Sequence, residues 1–175
     1  MKKKNIHLVA CCPHSELAVP EGLVLIAIED SQKSFLGNLC NTPSQPSLEN
    51  ICKFKIRADA EDLATYLKGH KAAIIIDSAS DGSAPGTISL MDLGAMLEKS
   101  TPLKIGSRHG FYLARQLREL KKSGQLPERM IFFGVENSEV QRSGNGTGSQ
   151  PNTAQSPKTL ILMINKAAQA LNRHA

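Results

Sequence analysis

One uninterrupted apolar run ends in an acid. Ala72 to Ile76 is a run of small and β-branched apolar residues, Asp77 follows at once, and Ser78 to Thr87 is rich in Gly, Ser and Pro. Such a run predicts a central strand buried on both faces, with a turn at its carboxyl end. Met130 to Val135 predicts a second strand of this kind, and Asn5 to Cys11, closed off by Pro13, a short first strand. Cys52, Phe54 and Ile56 alternate with Lys53, Lys55 and Arg57, a one-faced pattern that belongs near a sheet edge. Leu23 to Leu39 is ambiguous. Its first six residues suit a strand, whereas Val24, Ala27, Ile28, Phe35 and Leu39 thread one helical face, and the longer pattern favours helix.

Three further segments carry helical periodicity. Asp59 is placed to cap a helix with Glu61 and Asp62 in its first turn, Leu63, Tyr66 and Leu67 on its apolar side, and Lys68-Gly69 as its stop. Gly110 to Ser123 puts Leu113, Leu117 and Leu120 on one face and ends at Gly124. Ser156-Pro157 opens a last helix with Leu160, Ile164, Ala167 and Leu171 in a stripe. Between strand and helix, Thr87 to Leu90 reads as extended and Met91 to Glu98 as one or two helical turns. Strands alternating with helices predict an α/β three-layer sandwich, a twisted and largely parallel sheet with helices on both faces. The expected organisation is a single domain over residues 1–175, with a flexible loop at 137–156, where Gly, Ser, Asn and Gln replace apolar residues.

Composition narrows the function. A chain of 175 residues buries about 70% of its unfolded surface in one domain. With aromatics at only 4%, aliphatic side chains must fill the core. The net charge of +5 includes Lys2-Lys3-Lys4, and no basic face interleaved with aromatics is visible, which argues against nucleic-acid binding. Ile6 to Cys12 is too short, and too broken by His7, for a signal-peptide core, and no run reaches membrane-spanning length, so a cytoplasmic protein without membrane insertion is expected. Cys11, Cys12, Cys40 and Cys52 lack metal-finger or C-x-x-C spacing.

Two residues stand out chemically. Asp77 is delivered to the strand-end rim where open parallel sheets bind ligands, although an Asp there also serves as a turn cap. His109 precedes the helix from Gly110, whose positive dipole end favours a neutral imidazole, available to a metal or a proton; a purely structural histidine is the competing reading. The chain has no G-x-S-x-G, H-E-x-x-H or P-loop motif and no G-x-G-x-x-G after its first strand. A thiol nucleophile at Cys11-Cys12 has no specified base, and His14 with Glu16 is a second candidate metal pair.

The order Ile-Ile-Ile-Asp77, Pro85-Gly86-Thr87, Ser107-Arg108-His109, Ser123-Gly124-Gln125-Leu126-Pro127 and Phe133-Gly134-Val135-Glu136 resembles the nickel-iron hydrogenase maturation endopeptidases, over about Arg57 to Glu136. The resemblance implies an aspartic-type endopeptidase of α/β fold. It implies removal of the carboxyl-terminal extension of a hydrogenase large-subunit precursor after nickel insertion. It also implies metal contact by Asp77 and His109, with nickel carried by the client. The family's third ligand is a Glu in the loop after strand one. Here Cys11-Cys12-Pro13-His14 stands where the family has a glycine-rich turn, making Glu21 the nearest match and Glu16 its rival. Two carboxylates and an imidazole suit a borderline divalent ion and leave positions for the client's own ligands. The catalytic base is left unassigned, and a monomer is expected. A non-cleaving binding protein for the same client is the alternative suggested by the altered loop; a small-molecule or nucleotide-binding domain is a third, disfavoured by the absent glycine-rich loop.

Overall fold

The computed structural model describes residues 22–28, 51–56, 63–79, 82–84, 86–99, 104–107, 109–136 and 157–172. Five strands form one sheet: β1 (Leu23–Ile28), β2 (Cys52–Ile56), β3 (Ala72–Ala79), β4 (Ile88–Asp92) and β5 (Arg129–Glu136), in the order β2-β1-β3-β5-β4. All neighbours pair in parallel except β4, which runs antiparallel to β5 at the edge. The helices are α1 (Leu63–Leu67), α2 (Leu93–Glu98), α3 (Gly110–Lys122) and α4 (Pro157–Asn172).

Alternation along the strands divides the core into two layers. Val24, Ile26, Ile28, Ala73, Ile75, Met130 and Phe132 face one side, where Leu63 and Leu67 of α1, Leu93 and Leu97 of α2, and Leu113, Leu117 and Leu120 of α3 cover them. Leu23, Leu25, Ile74, Ile76 and Phe133 face the other, against Leu160, Ile164, Ala168 and Leu171 of α4. This is the three-layer α/β sandwich with a largely parallel sheet that the alternating pattern predicts, and its strands read as apolar runs because both faces are covered.

Three boundaries differ from expectation. Leu23 to Ile28 is strand, not helix: all six side chains are buried, and β2 and β3 pair with its two edges. A helix would turn some of those six towards water. β3 runs through Asp77 to Ala79, since pairing with β5 continues as far as Glu136. Met91 belongs to β4, and the following helix starts beyond Asp92, whose carboxylate caps it by accepting from the Ala95 amide at 2.9 Å. The expected edge position of residues 52–56 is observed in β2. The predicted strand at 5–11, the Asp59 cap and the loop at 137–156 lie outside the described residues.

The order β2-β1-β3 places consecutive strands β1 and β2 to one side and β3 to the other. Between the carboxyl ends of β1 and β3 lies a topological switch point, where α/β sheets open a crevice for ligands. At the opposite end, His70 joins α1 to β3. Burial lowers its pKa below 6.5, with a backbone hydrogen bond to Gly22 acting in the opposite sense. A lowered pKa in a base means that the unfolded chain binds the proton more readily. Stability from this group is therefore full above about pH 6.5 and is lost as pH falls below that value towards the folded pKa. Melting midpoints measured from pH 7.5 to 5.0 should fall less steeply for His70→Gln than for the parent.

Candidate functional site

Asp77 is 0% exposed, on the sheet face covered by α1 to α3, two residues beyond Ile75 towards the rim. Its Oδ1 accepts from the Ser78 amide at 2.7 Å and lies 2.9 Å from Nδ1 of His109. A carboxylate only accepts, so this contact places the imidazole proton on Nδ1. Oδ2 is buried and has no hydrogen-bond partner among the described residues.

The loop before α3 explains how an imidazole 32 positions away reaches this acid. Ser107 makes an isolated antiparallel bridge with Ala79, pinning the loop to the end of β3. The Gly110 amide then donates to the Ser107 carbonyl at 3.0 Å, and the Leu113 amide to the His109 carbonyl at 3.0 Å, so α3 starts immediately. His109 occupies the N-cap position without using its side chain as a cap; the ring turns to Asp77 instead. Gly110 is obligatory for this path, because a Cβ there would lie 2.0 Å from the Ile105 carbonyl oxygen. Gly110→Ala should cost about 3 kcal/mol through overpacking against backbone, more than the roughly 1 kcal/mol an Ala can return to a helix. The melting midpoint should drop by roughly 5 °C. Gly22→Ala, where nothing lies within 4 Å of the added carbon, should leave it unchanged.

Two more elements shape the rim. Gly134 of β5 is the register partner of Asp77, and a Cβ there would stand 2.5 Å from Ser89 Oγ and 3.3 Å from Ala79 Cβ. Glycine thus keeps the strand next to the acid free of a side chain. The turn through Gly86 and Thr87 is tied to the end of β5 by two bonds of 2.9 Å with Glu136. Ser107 Oγ, like Asp77 Oδ2, is buried without a hydrogen-bond partner among the described residues. Sequence reading quoted Ser107, Gly110 and Gly134 without giving them roles, because each role depends on a distant segment.

The donor pair fits a divalent ion. With its Nδ1 proton held by Asp77, His109 offers a neutral Nε2, and an imidazole nitrogen beside a carboxylate oxygen is a donor set that suits a borderline divalent ion. The unpartnered Oδ2 is a second acceptor in the same place. Among the described residues no third His, Cys, Asp or Glu joins them.

A family model described as hydrogenase maturation protease (HycI) matches residues 58–165. The chain belongs to this family. Of the solved structures, the hydrogenase maturating endopeptidase HybD from E. coli is similar at 17% identity and TM-score 0.49, covering 85% of this chain and 88% of its own. The hydrogenase 2 maturation peptidase from Thaumarchaeota archaeon SCGC_AB-539-E09 is similar at 21% identity and TM-score 0.41, with 65% and 78% covered. A solution structure of an endopeptidase from Escherichia coli is similar at 21% identity and TM-score 0.39, with 50% and 54% covered. A search of curated proteins gives no match.

The stretch matched by the family contains Asp77 and His109 but not β1. Glu21, Glu16 and His14, the other sequence candidates, lie outside the described residues. Gly22, the residue after Glu21 in the sequence, precedes Leu23, and Leu23 is level with Ala72 at the amino end of the sheet. Gly22 therefore stands six strand positions from Asp77, about 20 Å. At the rim end, Ala27 is level with Ile76, so Ile28 is level with Asp77, and the next residues in the sequence are Glu29 and Asp30.

Proposed function

We propose that this protein is an endopeptidase that removes the carboxyl-terminal extension of a nickel-iron hydrogenase large-subunit precursor once nickel is in place, and that Asp77 and His109 contact the client's nickel. The observation that carries the reading is their 2.9 Å approach, from separate elements, at the rim where the strand order reverses. Family membership supports the reaction class and the kind of client. We further propose Glu29 or Asp30 as the third acidic ligand, since they follow the rim end of β1.

In this reading Asp77 is a preformed anionic donor, desolvated before the client arrives and held by the Ser78 amide. His109 is oriented by the same carboxylate, a pairing that fixes tautomer and ring direction. Nickel carried by the client would supply a Lewis acid able to polarise the scissile carbonyl. Among the described residues, no helix is long and apolar enough to cross a membrane, which accords with action on a cytoplasmic precursor.

The test is incubation of the purified protein with nickel-loaded and nickel-free precursor, read by mass spectrometry. Loss of the extension only from the loaded form is expected. A stable complex with intact precursor would instead make the protein the non-cleaving binder of the same client.

A further inference from the structure

A groove of about 530 Å³ runs from the start of α3 along its outer side, closed by Lys104 and Ile105 of the preceding loop. Lys104, Arg115, Arg118 and Lys122 line it, against one carboxylate, Glu119. Glu119 pairs with Arg115 at 3.1 Å, whereas Lys104 and Lys122 have no ion-pair partner among the described residues. Phe111, 78% exposed, forms the apolar part of the wall and is held edge-on by the Tyr112 ring, with centroids 6.0 Å apart.

From this lining we infer that the groove docks an acidic segment of the client polypeptide that also presents an apolar side chain. The inference rests on the peptidase reading above and assigns that reading a second contact surface. A desolvatable aromatic among arginines is the composition of binding hot spots, and the excess of cations selects carboxylates. Position gives the groove its use. Gly110 and Phe111 line it, and His109 is the residue before them, so a chain lying in the groove leads directly to the candidate site. The groove is short and concave, and it contains a carboxylate. A nucleic-acid strand asks instead for a basic track following many phosphates, with stacking platforms along it.

The probe is a fluorescein-labelled eight-residue peptide alternating Glu and Leu, with an alternating Lys and Leu peptide as its counterpart, followed by fluorescence polarisation. The parent should bind the acidic peptide, more weakly as salt is raised, and not the basic one. Lys104→Glu with Lys122→Glu should weaken acidic-peptide binding by roughly tenfold or more and create affinity for the basic peptide. Phe111→Ala should weaken the acidic peptide by roughly fivefold with charge unchanged. All these side chains are exposed, and unchanged circular dichroism and melting midpoint are required of each variant.

In precursor cleavage the same variants should raise KM while kcat at saturation holds, whereas Asp77→Asn should abolish turnover and still bind peptide. Peptide binding that follows these substitutions in a protein that never cleaves precursor would uphold the groove and remove the peptidase reading. Cleavage with KM unmoved by the substitutions would overturn the groove and keep the peptidase. Binding of a single-stranded oligonucleotide, lost in the charge-reversed variant while the acidic peptide never binds, would overturn it in favour of a nucleic acid.

Discussion

Asp77→Asn and His109→Gln are each expected to abolish removal of the precursor's extension, by at least about 100-fold, while the protein remains folded. The size follows from position. Asp77 is a fully buried carboxylate, and it both orients His109 and offers an unpartnered oxygen to the same space. Its replacement by the isosteric amide removes the charge that would attract a cation and, with Oδ1 keeping its contacts, puts an NH2 donor where the unpartnered Oδ2 stood; loss even of contacts that orient a ligand costs metal sites about 10- to 100-fold. Stability should hold, since an amide keeps the shape and the Ser78 contact and no longer carries charge into the interior. Asp77→Leu should be equally inactive but destabilised, because it leaves the Ser78 amide and His109 Nδ1 without their acceptor. Calorimetric titration with Ni²⁺ gives a readout independent of turnover, with heat for the parent and none for any of the three variants. Normal processing by Asp77→Asn would remove the site.

How much of this was legible depended on how local each signal is. β3 and β5 could be read because a strand covered on both faces is an apolar run with a turn at its end, and α3 because Leu113, Leu117 and Leu120 recur at helical spacing before Gly124, which adopts φ +67°. The meeting of Asp77 with the start of α3 was foreseeable from the parallel-sheet rim and from the family resemblance. β1 was not, because Leu23 to Ile28 has no alternation to distinguish strand from helix. What decides its state is pairing with β2 and β3, segments tens of residues away. Gly110 and Gly134 owe their necessity to Ile105 and to Ser89; the first is a loop that folds back, the second a cross-strand neighbour. Neither contact is written in the glycine's own surroundings.

The misreading of β1 leads to the second large effect. If the third acid follows the strand that adjoins β3, as proposed above, Glu29→Gln or Asp30→Asn should reduce processing by about 10- to 100-fold, while Glu21→Gln should process normally. Both acid-to-amide changes at these positions remove one charge without changing volume, so melting midpoints should stay within about 1 or 2 °C. The three variants divide the possibilities cleanly because the two ends of β1 are separated by the length of the strand. Gly22 lies at the His70 end and Ile28 at the Asp77 end, and no side chain spans the difference. If Glu21→Gln were the inactive variant, β1 would have to run the other way or in another register, and the parallel pairing of Leu23 with Ala72 would be wrong along with the site. If Glu29 and Asp30 were both dispensable, the protein would read nickel through Asp77 and His109 alone, and the remaining coordination would come from the client.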